Sequence, residues 1–334
     1  MPERIKVFAA PAGGPKWFVS VGLDRALMRS RFLQHDRGRV LLVGSSAGAW
    51  RCLTMASRDP APAHERLRIS YSRNVFTQRD TAESIGGALK RNVKEFLRDE
   101  DIDSILGHPN FTVAVHSVRA KGPAASERKT VQGGALLTGA LYNAIVPGGI
   151  TAFFERVVFF SGDSEPEFLR CGFRGRSVRL TRENIRAAAL ATGSLPYIIA
   201  GVRYIPGAPD GTYRDGGLVD YQLNQDYMPG DGGVTLFFHY QERIVPGWFD
   251  KRIPWRKPPK GSIDRVLQVY PSSAFLDMLP DGRLPDREDF RRYVDAPAER
   301  IRRWDVAAEK SEILGTEFLN DVESGAIRRL VKPL

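Results

Sequence analysis

Within its first 55 residues the chain twice passes from a short apolar segment, through a turn of small residues, into a helical pattern. Ile5 to Ala10 reads as a buried strand, Pro11 to Pro15 as a Gly/Pro turn, and Trp17, Val21, Leu23, Leu27 and Met28 as the apolar side of a helix. Pro15 suits a first helical turn, where its missing N–H costs little. Val40 to Val43 repeats the pattern, followed by Gly44-Ser45-Ser46-Ala47-Gly48 and a helical candidate through Met55. Two such transitions so close together predict a sheet covered by helices.

The rest of the chain fits that frame. Asp59-Pro60-Ala61-Pro62 reads as a connector, and residues 64 to 100 as a charged, mostly helical excursion. Strands are predicted at Phe111 to Val118, Val157 to Phe160, Gly233 to Tyr240 and Val266 to Tyr270. A helix capped by Thr181 is predicted to run to Ala191, and an amphipathic helix from about Pro297 to Phe318. The 334 residues can bury a substantial core, so one α/β domain spanning 1–334 is expected, with 241–334 a less recognisable extension packed on it.

Composition bounds the function. With 42% hydrophobic and 26% charged residues, disorder cannot describe the bulk of the chain. Cys52 and Cys171 are its two cysteines, too few for a disulfide framework or a cysteine-rich metal site, and Cys52 is expected to pack inside a helix. The N-terminus makes a poor signal sequence and no apolar stretch is long enough to span a bilayer, so a cytoplasmic location is expected. A formal charge of +10 favours anionic partners, but the basic residues are scattered and no nucleic-acid-binding motif accompanies them. No nucleic-acid partner, cofactor or metal is expected, and oligomeric state is not legible.

Chemistry concentrates at Gly44-Ser45-Ser46-Ala47-Gly48. A G-x-S-x-G turn between strand and helix exposes a serine hydroxyl above the sheet edge, and the helix start stabilises negative charge developing there. Motif spacing selects Ser46 rather than Ser45. A serine hydroxyl needs a base. One candidate is Asp215 in Gly211-Thr212-Tyr213-Arg214-Asp215-Gly216-Gly217, whose glycines permit close approach. The other is His239, since the order Ser46, Asp215, His239 would suit an α/β-hydrolase triad, although His239 reads as a packed strand histidine.

The pairing of Gly44-Ser45-Ser46-Ala47-Gly48 with Asp215-Gly216-Gly217 resembles the patatin-like phospholipase family. Ala191-Thr192-Gly193-Ser194-Leu195-Pro196 loosely matches that family's small-residue-then-proline segment, and Gly13-Gly14-Pro15-Lys16-Trp17 its glycine-rich oxyanion loop. The resemblance covers landmarks from about residue 5 to 240. It implies a three-layer α/β/α fold with a mostly parallel sheet and a Ser46–Asp215 dyad. The oxyanion donors it implies are the amides of Gly13, Gly14 or Lys16 together with Ala47, and the substrate a lipid acyl ester: phospholipid, lysophospholipid or acylglycerol. Trp17 departs from the family, which has glycine there, and is expected to narrow the acyl pocket; Pro15 has no N–H to give. Lys16 is expected to position the loop or meet an anionic head group. Trp50, Phe153 and Phe154 are candidates for either an acyl pocket or core.

A non-enzymatic alternative is a lipid-surface binding module. Trp248, Phe249 and Trp255 alternate with Lys251, Arg252, Arg256, Lys257 and Lys260, a combination suited to peripheral contact with an anionic membrane surface.

Overall fold

The structure, a computed structural model, describes residues 2–35, 38–228 and 232–333. Its strands are β1 (Ile5–Ala10), β2 (Val40–Ser45), β3 (Phe111–Ala120), β4 (Phe154–Phe160), β5 (Arg176–Arg179), β6 (Val202–Arg203), β7 (Thr212–Asp215), β8 (Val234–Phe238) and β9 (Val266–Val269). They form one sheet in the order β5-β4-β3-β2-β1-β8-β9, with β7 paired to β3 and β6 to β7. From β3 across to β9 every pairing on that path is parallel, whereas β4 and β7 run antiparallel to β3. The result is a three-layer α/β/α arrangement around a mostly parallel sheet.

Both faces of this sheet are buried, which is why its strands read as near-continuous apolar runs. Val40 and Leu42 of β2, Val113 and Val115 of β3, and Leu236 and Phe238 of β8 enter the large core beneath the main helices. Their alternates Leu41, Val43, Ala114 and Phe237 face a thinner layer built on Phe168, Leu223, Tyr227 and Ile244.

Several boundaries differ from the sequence expectation for identifiable reasons. The segment Gly14–Ser20 is 3-10 helix, and the α-helix starts at Val21. The Asp59–Pro62 connector is instead a helix start, with Pro60 at the first position of the helix Pro60–Ser72. Thr181 exchanges hydrogen bonds with Asn184 in the reciprocal pattern of an N-terminal cap, and its carbonyl accepts the Ile185 N–H at 3.1 Å, one turn ahead of the regular helix Ile185–Ala191. The C-terminal helix breaks at Ser311 into Pro297–Lys310 and Glu312–Glu323. There Ser311 Oγ accepts the Gly22 N–H at 2.8 Å, and a methyl on Gly22 would lie 2.1 Å from the Ser311 carbonyl oxygen. Glycine at this crossing lets two backbones touch, fastening the C-terminal helices to the helix Val21–Arg29.

A further helix, Lys129–Ile145, was not anticipated from the sequence. Its inward residues are Gln132, Ala135, Gly139 and Asn143, too small and polar to announce a core-facing stripe.

Candidate active site

Strand β3 serves as the ruler of the site. Ser45, the last residue of β2, lies opposite His116, and Asp215, the last residue of β7, lies opposite Ser117. Two chain segments far apart in sequence therefore end at neighbouring positions along one strand. The hydroxyl of Ser46 donates to Asp215 Oδ2 at 2.9 Å.

Close packing makes the Ser46 turn. A methyl on Gly48 would stand 2.1 Å from the Ala10 carbonyl oxygen, and one on Gly44 would stand 2.7 Å from the Gly48 carbonyl carbon. Only glycine admits this approach of β1, β2 and the helix Ala47–Met55. Ser46 itself has φ 53° and ψ −132°, a region L-residues rarely adopt, at a cost of about 1–3 kcal/mol. The strained turn is held by its partners: the Ser46 N–H donates to Thr192 Oγ1 at 2.8 Å, and Thr192 Oγ1 in turn donates to the His116 carbonyl. Thr192 lies in the segment the resemblance matched only loosely.

The Asp215 carboxylate has two fixed partners, the Ser46 hydroxyl on Oδ2 and the Gly217 N–H on Oδ1 at 2.8 Å. Burial raises its pKa above the ordinary carboxylate value, against the opposing pull of the Arg287 charge and these hydrogen bonds. A carboxylate so placed is a stronger base than one in water. Asp215 is 2% exposed and Ser46 4%. A cleft of about 1200 Å³ is walled by other residues, among them Tyr142, Arg156, Phe168, Arg174 and Lys257.

The amides available to an oxyanion differ from the expected set in one member. The Lys16 N–H already donates to the Gly13 carbonyl at 3.4 Å, closing the first 3-10 turn, and its ammonium lies 3.7 Å from Asp286. Lys16 thus meets Gly13 through its amide and Asp286 through its ammonium. The Gly13 and Gly14 N–H groups have no backbone acceptor among the described residues. Ala47 opens its helix, so its N–H has no intrahelical acceptor. Gly14 adopts φ +56°, and a methyl there would lie 2.7 Å from Arg287 Nε, so the Arg287 side chain lies across the glycine loop. No sequence signal marked Arg287, which lies in the unrecognised extension.

Trp17 does not narrow a pocket. It is 2% exposed and packs edge-on against His64 and Tyr71 in the core. Trp50 is also core, donating its indole N–H to the Ala189 carbonyl at 2.7 Å, and Phe154 is fully buried. Phe153 packs against Gly139 beneath the helix Lys129–Ile145. Cys52 is buried as expected.

His239 is not brought to Ser46. Its Nδ1 is turned onto Gln241, accepting that residue's N–H at 2.9 Å, and its ring stacks on Tyr240. Burial pushes its pKa down to about 3, so it is a neutral core imidazole at physiological pH. The nearest histidine along the sheet, His116, serves a separate network with Asp220 and Arg156. Burial acts to raise the Asp220 pKa, but the Arg156 charge and the His116 hydrogen bond outweigh it and hold the group at about 2. Ser45 donates to the Asp220 carbonyl oxygen at 2.6 Å, which leaves Ser46 as the hydroxyl facing a carboxylate.

No family model matches the chain, and no curated protein matches it.

Proposed function

We propose that the protein is a serine acyl hydrolase acting through a Ser46–Asp215 dyad. The observation that carries this reading is the 2.9 Å hydrogen bond from the Ser46 hydroxyl to a buried carboxylate at a strained strand-to-helix turn. Asp215 Oδ2 takes the hydroxyl proton as Ser46 Oγ bonds to an ester carbonyl carbon. The amides of Ala47, Gly13 and Gly14 hold the resulting oxyanion beside the positive end of the helix Ala47–Met55. Collapse breaks the ester C–O bond, and the departing alkoxide takes the proton from Asp215, leaving an acyl group on Ser46. Asp215 then deprotonates water, which releases the carboxylic acid and restores the serine.

The substrate class rests on the patatin-like resemblance of the elbow, the Asp-Gly-Gly motif and the glycine loop, which points to carboxylic esters of lipids. Turnover of p-nitrophenyl esters by wild type, Ser46→Ala, Asp215→Ala and His239→Ala, each checked for folding, tests the reading. Activity lost in the first two variants and kept in the third is expected; equal activity in Ser46→Ala and wild type would refute it.

A second reading is a lipid-surface binding protein without turnover. It is favoured by the near-complete burial of Ser46 and Asp215 and by the absence of both from the walls of the 1200 Å³ cleft. Under that reading the wild type hydrolyses neither p-nitrophenyl esters nor vesicle lipids.

A further inference from the structure

The helix Lys129–Ile145 is built inside out. On its buried side Gln132 accepts the Tyr197 N–H and Asn143 donates to Asp250, so polar groups face the protein. On its outward side Leu137, Leu141 and Ile145, spaced four apart, are 63%, 60% and 81% exposed. A helix exposed to water ordinarily carries charge on that side, yet from Thr130 to Phe154 the chain has no acidic or basic residue. Arg256 donates to the carbonyls of Asn143 and Ala144, bringing Trp255, 76% exposed, to the C-terminal end of the ridge. A continuous apolar ridge of this kind marks a face that another phase or molecule covers.

The charges beside it identify the occupant. Tyr142 and Val146 at the end of the helix also wall the 1200 Å³ cleft, together with Lys121, Arg174 and Lys257. All three acidic residues of that wall are already paired: Glu155 with Arg119 and Arg176, Asp226 with Arg265, and Asp250 with Arg256. Among the described residues none of the three cations Lys121, Arg174 and Lys257 has a carboxylate partner, and the chain as a whole carries +10. A second copy docked face to face would set these cations near one another, whereas anionic head groups would neutralise them. The helix is 17 residues long, and among the described residues no helix is long and apolar enough to cross a membrane.

We propose that this face docks on an anionic lipid bilayer. The ridge Leu137, Leu141, Ile145 and Trp255 enters the acyl boundary with the helix lying flat, while Lys257, Arg174 and Lys121 meet head-group phosphates. The helix packs against the segment Trp248–Arg252, whose Lys251 ammonium lies 4.2 Å over the Tyr221 ring and contributes to the field at Asp215. The docked helix therefore rests on the segment that carries Lys251. Docking does not require hydrolysis, so the two are separable.

Flotation with vesicles of phosphatidylcholine alone, or with about a third phosphatidylglycerol, tests the proposal. Wild type is expected to float with the anionic vesicles and to release as salt rises. Leu137→Ser/Leu141→Ser/Ile145→Ser and, separately, Arg174→Glu/Lys257→Glu should each lower the partition coefficient about tenfold or more with unchanged melting temperature. Ser46→Ala should float as wild type does, so loss of ester turnover with flotation intact bears on the dyad and not on docking. The proposal is overturned if wild type fails to float or if both variants float equally well. It is also overturned if the ridge variant converts a solution dimer to monomer, which would assign the face to a second copy.

Discussion

Thr192 Oγ1 accepts the amide N–H of Ser46 and donates its own O–H to the carbonyl of His116, linking the strained elbow to the neighbouring strand. Thr192→Val keeps the shape and removes both bonds. It leaves the Ser46 N–H buried without that acceptor, at a cost of about 1–3 kcal/mol. Urea denaturation should show that loss, Thr192→Ser should recover most of it, and ester turnover should fall in Thr192→Val even where the protein is fully folded. Unchanged stability in Thr192→Val would mean that the turn is held by other contacts.

Arg287 lowers the pKa of Asp215 through its charge, against the larger raising effect of burial. In the proposed dyad Asp215 acts as base only when ionised, so activity should rise with pH through its folded pKa. Arg287→Gln removes a nearby positive charge and should move the acid limb of the kcat/KM profile to higher pH. A limb that stays in place would separate Arg287 from the electrostatics of the dyad.

The same burial makes Asp215 a stability burden at neutral pH. A carboxyl whose folded pKa is raised binds more protons folded than unfolded, so stability falls as pH rises from the unfolded value through the folded one. Asp215→Asn should therefore abolish turnover while raising the melting temperature at pH 7. A lower melting temperature would mean that the Gly217 and Ser46 hydrogen bonds to the charged form outweigh desolvation.

His239 gives the opposite sign. Its folded pKa is about 3 against an ordinary 6.5, so the unfolded chain takes up a proton in that interval and the folded one does not. Its contribution to stability is complete above pH 6.5 and is lost as pH falls from there towards 3. His239→Asn should flatten the dependence of melting temperature on pH across this window without eliminating ester turnover.

Arg51 is fully buried, with two hydrogen bonds of 2.7 Å to Asp24, and Asp24 also meets His64 Nε2 at 3.0 Å. Asp24→Ala strands that guanidinium and should cost about 3–5 kcal/mol by chemical denaturation. Replacing Asp24 and Arg51 together by apolar residues should cost less than the single change, because no uncompensated charge then stays inside.

Which parts of this molecule could be read from its sequence follows from where the signal is local. β1, β2 and the turn at Ser46 carry theirs within a dozen residues: an apolar run, glycines where two backbones must touch, then a helix. The apposition of Ser46 and Asp215 is a register along β3, and neither motif encodes which residue of a third strand it will face. The break at Ser311 was hidden because the apolar spacing continues across it; the cause is contact with Gly22, on the other side of the chain. Arg287 reaches the glycine loop from a segment with no motif of its own. The helix Lys129–Ile145 escaped notice because amphipathic reasoning looks for apolar residues facing inward, and here they face out.

Arg287 over Gly14 and Asp286 beside Lys16 have a bearing on biosynthesis. Arg287, Asp286 and Tyr240, whose ring lies against Gly13, are all translated after Ser46 and Asp215, so the glycine loop acquires these neighbours only once the C-terminal segment has left the ribosome.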